Sequence, residues 1–310
     1  MDRTEERAAR YDRAILSLPA ELRACARRLE MSARADAEEL RLRAGRVGTV
    51  LLPEGERPFT DRILTPRDLD GVLELATQAS VHTAREAFRA GYITVRGGFR
   101  IGIGGTAVIR DGQPDGFRAV SSLALRISRE VRGAGEEVIR ELTGEGAFRS
   151  TLLLSPPGVG KTTLLRDLVR LLSDGDPKSG LSPQRVSLAD ERGEVAALQD
   201  GVPRMDVGRQ TDVLENCPKD RAVLQLLRTM NPQIVALDEV TAPEDVQAIR
   251  YAANCGVQIL ATAHADGLSD LLARPLYREL LRLGVFRHAV LIQKNGRTRT
   301  YKVIRLEETI

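Results

Sequence analysis

SPPGVGKTTLL, residues 155–165, comes within one residue of the phosphate-binding pattern G-x-x-x-x-G-K-[ST]. Ser155 stands at the first glycine position, which closes a strand and opens a turn, so a small side chain fits there. Gly160, Lys161 and Thr162 occupy the positions that meet phosphate directly. The stretch follows STLLL, an apolar run of strand length, and leads into TTLLRDLVRLLSD, whose leucines recur at helical spacing. Strand, glycine turn and helix in that order leave free N–H groups at the positive end of a helix dipole, where anions bind. The segment Pro157, Gly158, Val159, Gly160, Lys161, Thr162 and Thr163 is therefore expected to cradle a nucleotide. Amides from Gly158 onward would face the β-phosphate, Lys161 would bridge the β- and γ-phosphates, and Thr162 would reach Mg²⁺. A purely structural glycine turn is the competing reading of the motif.

The flanking pattern favours the nucleotide site. STLLLSP, RVSLADE, QIVALDE and VQILATAH are short apolar runs ending in polar residues, with helical stretches such as APEDVQAIRYAANC between them. Such alternation predicts an α/β fold with a parallel sheet covered on both faces and its ligand at the carboxyl ends of the strands.

Those ends carry the chemistry. QIVALDEV closes on Asp238 and Glu239; Asp238 is expected to hold Mg²⁺ through water, and Glu239 to orient and deprotonate an attacking water. RVSLAD closes on Asp190, with Glu191 and Glu194 as a second acidic group, or as an exposed charged turn. This strand lies between the loop and Asp238 in sequence, the arrangement of RecA-like and AAA-like NTPases whose catalytic carboxylate is a glutamate. His264, ending VQILATAH, is a candidate sensor of the γ-phosphate. His82 and His288 read as ordinary helix-start and strand-start residues.

The N-terminal part is different in kind. Residues 1 to about 47 read as charged helices broken near Leu18-Pro19, and LRLRAGRVGTVLL as two strands around Gly45. LTPRDLDGVLELATQAS reads as a helix capped at Thr65 with Pro66 first, where proline loses no hydrogen bond. A second helix is expected from about Thr83 to Ala90. GYITVRGGFRIGIGGTAVIRDGQ has hairpin grammar around Gly97-Gly98 and Asp111-Gly112. No helix follows its GIGGTA, so a second phosphate loop is the weaker reading. SSLALRISREVRGAGEEVIREL is expected to be helical, giving domains at 1–125 and 149–310 with a helical segment at 126–148.

Composition narrows the class. The 310 residues are 42% hydrophobic, enough for two cores, and the net charge of +3 carries no strong nucleic-acid or membrane signature. Cys25, Cys217 and Cys255 lie in neither disulfide nor metal-ligand spacing. The charged N-terminus and the absence of a long apolar run predict a cytoplasmic protein that meets membranes only through partners. GRTRTYKVIR near the end reads as an edge hairpin, and nucleic acid is not the expected partner.

The blocks together resemble the secretion ATPases of type II and type IV systems, which pair a phosphate loop with an acidic box, an Asp-Glu strand and a histidine box. LLRTMNPQIVALDEV and ATAHADG carry that likeness. DERGEVAA, DVGRQTDVLENCPK, GYITVRGGFRIGIGGTAV and SSLALRISREV look like the stage III sporulation protein AA family, from about Glu39 to Leu291. Ser155 departs from the loop pattern, and the chain lacks the cysteine-rich metal module of larger secretion ATPases. The resemblance implies a RecA-like P-loop core behind a smaller α+β domain, and a Mg²⁺-dependent ATPase of the mother-cell cytoplasm. It further implies a homohexameric ring docked on membrane proteins of the channel to the forespore. Ring NTPases complete their site with a neighbour's arginine; Arg126, Arg129, Arg209 and Arg228 are the candidates. The competing reading is a slow, nucleotide-gated scaffold that recruits proteins or single-stranded nucleic acid.

Overall fold

In a computed structural model, residues 3–77, 88–89, 91–127, 131–144, 147–295 and 298–306 are described. They fall into two compact units, Met1–Arg129 and Glu130–Ile310.

The first unit opens with three helices, α1 (Arg3–Ala14), α2 (Ala20–Arg27) and α3 (Met31–Asp36). A 3₁₀ turn, Ile15–Ser17, and Pro19 separate the first two, because proline cannot continue a helix. Six antiparallel strands follow: β1 (Glu39–Arg43), β2 (Val47–Leu52), β3 (Gly55–Ile63), β4 (Tyr92–Val95), β5 (Phe99–Arg110) and β6 (Gln113–Arg126), in the order β3-β2-β1-β6-β5-β4. Helix α4 (Pro66–Thr77) lies between β3 and β4 in the chain. Tyr11, Leu22, Leu40, Val50, Leu69, Phe99, Ile101 and Leu123 form one buried core, and the Tyr11 hydroxyl donates to the Ala26 carbonyl at 3.0 Å. At Asp111 (φ 51°) and Gly112 (φ 74°) both turn residues are left-handed, the geometry a two-residue hairpin requires. Gly102–Ile103 and their neighbours belong to that hairpin, not to a phosphate loop.

Two readings of this unit need correction. Ser121–Arg126 is the end of strand β6, with Ser122–Arg126 paired residue for residue with β1, and not a helix. Its leucines at 123 and 125 alternate with period two and are both buried. Strand β3 was not expected, since GERPFTDRI is charged and contains Pro58; it lies at the sheet edge, where proline and charge are tolerated. His82, Arg129 and most of the Thr83–Ala90 helix lie outside the described residues.

Glu56 on β3 is drawn down to about 2, first by its hydrogen bond to Arg43 and then by that to Thr49. A depressed folded value means that its contribution is present above the ordinary 4.5 and is lost as pH falls towards about 2. Both partners are more than a third exposed, so the effect is under about 1 kcal/mol. Glu56→Gln is expected to flatten the stability profile in that window and nowhere else, as read by urea midpoints from pH 2 to 6.

The second unit is a seven-stranded sheet. Its strands are β7 (Thr151–Ser155), β8 (Val186–Asp190), β9 (Thr211–Glu215), β10 (Ile234–Leu237), β11 (Gln258–His264), β12 (His288–Asn295) and β13 (Thr298–Arg305), ordered β9-β8-β10-β11-β7-β12-β13. All neighbours are parallel except β12 and β13, a hairpin that closes one edge. Helices α5 (Ile139–Leu142), α6 (Lys161–Asp174), α7 (Lys219–Thr229), α8 (Pro243–Asn254), α9 (Leu268–Ala273) and α10 (Pro275–Arg282) cover it.

Strand alternation divides the core between the two faces. Leu153, Leu188, Ala236 and Leu260 point into one cluster with α5 and α6. Leu152, Leu154, Ala189, Val235 and Ala261 point into another with α7, α8 and α10. Between β7 and β10 in the sheet stands β11, the strand that ends in His264. The strands that intervene in sequence, β8 and β9, both lie beyond β10. His264 is thereby placed between the phosphate loop and Glu239.

Candidate functional site

Ser155 pairs with His264 across β7 and β11, and Leu237 with Ala261 across β10 and β11, so these carboxyl ends stand side by side. The loop leaves β7 at Ser155 and enters α6 at Lys161. Gly158 (φ 74°) and Gly160 (φ 122°) supply the backbone angles that turn it, and nothing lies within 4 Å of a Cβ built on Gly158.

Lys161 is buried and its ammonium donates to the carbonyls of Ser155 (2.9 Å) and Pro156 (3.3 Å). Burial lowers its pKa, while Glu239 and Asp238 oppose that shift. The same ammonium is 2.7 Å from His264 Nδ1, and His264 Nε2 is 2.7 Å from Glu239 Oε1. An ammonium only donates and a carboxylate only accepts, so His264 is assigned the tautomer with its proton on Nε2. A continuous hydrogen-bonded chain therefore joins the loop lysine to Glu239. Glu239 itself has φ 52°, a left-handed angle uncommon for a side-chain-bearing residue, and its N–H donates to Thr262 Oγ1 at 2.8 Å. Arg192 lies 3.2 Å from its other oxygen.

Asp238 accepts from two hydroxyls, Thr162 at 3.0 Å and Thr262 at 2.7 Å. Burial pushes its carboxyl up and those two hydrogen bonds oppose it. A hydroxyl and a carboxylate are the hard oxygen ligands Mg²⁺ prefers, and one carboxylate suffices for a metal shared with phosphates. Among the described residues no group of three or more His, Cys, Asp or Glu is arranged to hold a metal alone. The donor set fits Mg²⁺ carried with a nucleotide.

The acidic turn after β8 is organised by Asp190. Its buried carboxylate accepts the N–H groups of Glu194 (3.0 Å), Val195 (3.0 Å) and Ala196 (2.8 Å). Burial raises its pKa against those three bonds. Buried Arg166 on α6 holds the same turn from the other side, donating to the carbonyls of Val195 and Glu194, each at 2.6 Å. Glu191 is fixed by buried Lys219 at 2.6 Å. Asp190, Glu191, Arg192, Glu194 and Lys219 line one small cavity with Asp238 and Glu239. A separate cavity of about 720 Å³, lined by Arg140, Arg149, Arg287 and Arg305 among others, opens at the opposite ends of the strands.

The structure thus brings Lys161, Thr162, Asp238, Glu239, His264, Glu191 and Glu194 to one end of the sheet. Within the second unit, Arg209 and Arg228 are not at that end. Arg209 pairs with Asp174 at the far end of α6 from Lys161, and Arg228 lies on the exposed surface of α7. Arg126 ends β6 in the first unit, 3.9 Å from Glu39. Sequence reading missed Arg166, Arg192, Thr262, Lys219 and Arg299. Only Thr262 left a legible signal, since the alternation in ATAH puts it on the same strand face as His264.

The fold is that of a RecA-like P-loop protein, and solved secretion ATPases share it. The ATPase DotB of Yersinia pseudotuberculosis superposes with a TM-score of 0.61 at 14% identity, covering 94% of this chain and 81% of that one. The pilus retraction motor PilT, crystallised with ADP, superposes with a TM-score of 0.58 at 16% identity, covering 87% and 79%. The chain belongs to the family Sporulation stage III, protein AA, which it matches over residues 12–308. It is 35% identical to stage III sporulation protein AA of Bacillus subtilis (strain 168) over 243 residues, 78% of each chain. The uncharacterized protein ycf45 of Porphyra purpurea is 32% identical over 165 residues, 53% of this chain but 27% of that one. No helix among the described residues is long and apolar enough to cross a membrane.

Proposed function

We propose that this protein is a Mg²⁺-dependent ATP hydrolase whose turnover drives assembly or operation of a secretion-like channel between mother cell and forespore. The observation that carries the reading is the chain Lys161–His264–Glu239 beside the Thr162–Asp238–Thr262 cluster. Loop amides and Lys161 bind the phosphates, and Thr162 with Asp238 holds Mg²⁺, which neutralises phosphate charge. Glu239 orients a water and takes its proton; Glu191 and Glu194 flank that end of the site. His264 reports the position of Lys161 to Glu239, because the lysine cannot leave its two loop carbonyls for a phosphate without disturbing the contact to Nδ1.

The working form in this reading is a homohexamer on the cytoplasmic side, peripheral to the membrane through its partners. Among the described residues at the Glu239 end, Arg192 already pairs with Glu239, and Arg274 is held by Asp270 and by the His264 carbonyl. Arg126 or Arg228 of a neighbouring copy is proposed to complete the site. ATP turnover per chain is expected to rise at least tenfold as protein concentration carries the chain into rings, measured beside sedimentation velocity. Turnover per chain that stays flat while rings form would leave the scaffold reading, in which nucleotide occupancy alone recruits partners.

A further inference from the structure

We propose that Arg299, on the closing hairpin β12–β13, is a nucleotide-binding residue that contacts the α-phosphate. Its Nε donates to the carbonyl of Val159, inside the phosphate loop, at 2.6 Å. It lies so close to the loop that a Cβ built on Gly160 would sit 2.8 Å from that same nitrogen. The side chain is half-buried, and among the described residues no carboxylate pairs with it. A guanidinium has five N–H donors; one is used here, beside a loop whose glycines and helix N-terminus suit an anion. A partly buried cation without a counter-ion is costly, and an anionic ligand removes that cost.

Position selects the phosphate. Asp238, Glu239 and His264, which serve the terminal phosphate, come from β10 and β11 on one side of β7. Arg299 comes from the other side, paired opposite Lys294 in the hairpin. A nucleotide whose γ-phosphate lies at Glu239 extends across the loop towards β12 and β13, where the α-phosphate meets the guanidinium. Other arginines around the site are engaged, Arg166 by two carbonyls, Arg192 by Glu239, and Arg274 by Asp270 and the His264 carbonyl.

This rests on the nucleotide reading above, and the test separates the two. MgADP is titrated by calorimetry into the wild-type chain, Lys161→Ala, Arg299→Ala and Arg299→Lys, with the melting temperature of each taken without nucleotide. Lys161→Ala is expected to abolish binding. Arg299→Ala is expected to weaken it tenfold or more with little change in the unliganded melting temperature, and Arg299→Lys to recover part of the loss. Binding that survives Lys161→Ala would overturn the phosphate-loop reading and this proposal with it. Abolished binding in Lys161→Ala, with Arg299→Ala within threefold of wild type, would overturn the proposal alone. Equal weakening in both Arg299 variants, accompanied by a matching loss of unliganded stability, would show a brace for the loop and overturn it as well.

Discussion

Replacing Glu239 by glutamine is expected to lower ATP turnover at least a hundredfold while MgATP binding stays within a few fold of wild type. A positioned general base contributes roughly 10²–10⁴ in rate, and the amide removes the proton acceptor without changing the shape of the side chain. The backbone cost of φ 52° is common to both residues, and Glu239 N–H keeps Thr262 Oγ1 as its acceptor, so the fold is retained. Lys161→Ala is the complementary case, with loss at the binding step because the group that reaches the phosphates is gone. Turnover that persists in Glu239→Gln while binding is intact would move the base elsewhere, and the small cavity directs attention to Glu191 and Glu194. Single-turnover assays beside nucleotide titrations distinguish these outcomes.

The largest stability effect is expected at Asp190. Its carboxylate satisfies three backbone N–H groups in a buried turn, and Asp190→Ala leaves all three without an acceptor. Each orphaned buried group costs about 1–3 kcal/mol, and partial relaxation keeps the total near 3–5 kcal/mol. Asp190→Asn retains one acceptor oxygen and is expected to lose about half as much. Denaturant midpoints measure the loss, and turnover falls in step because Glu191, Arg192 and Glu194 ride on that turn. A loss under about 1 kcal/mol in Asp190→Ala would mean that the turn is held chiefly by Arg166.

The contrast between legible and hidden residues follows from how each is specified. Lys161, Thr162, Asp238, Glu239 and His264 are written locally: each ends or follows an apolar run, and a parallel sheet gathers such ends on one edge. Arg166, Lys219 and Arg299 act on partners 28 to 140 residues away, and nothing local distinguishes them from other basic residues in an Arg-rich chain. The N-terminal sheet shows the same division. Gly45, Gly97-Gly98 and Asp111-Gly112 mark their turns through backbone angles, whereas β3 became a strand because β2 offered it an edge to pair with. Ser121–Arg126 is hard to read for the converse reason: its period-two pattern is short and ISREV, with a helix-like mix of charges, follows directly.

Arg166 gives the site a second property. Its guanidinium belongs to the phosphate-loop helix, and the acceptors at Glu194 and Val195 belong to the acidic turn, so helix and turn are tied together. If nucleotide favours one position of α6, the turn is drawn towards the arrangement that accompanies it. Linkage makes the influence mutual: a partner that fixed Glu194 and Val195 would change nucleotide affinity by the same factor by which nucleotide changed affinity for that partner. Any partner gripping this turn would thereby alter the release of nucleotide without touching the phosphates.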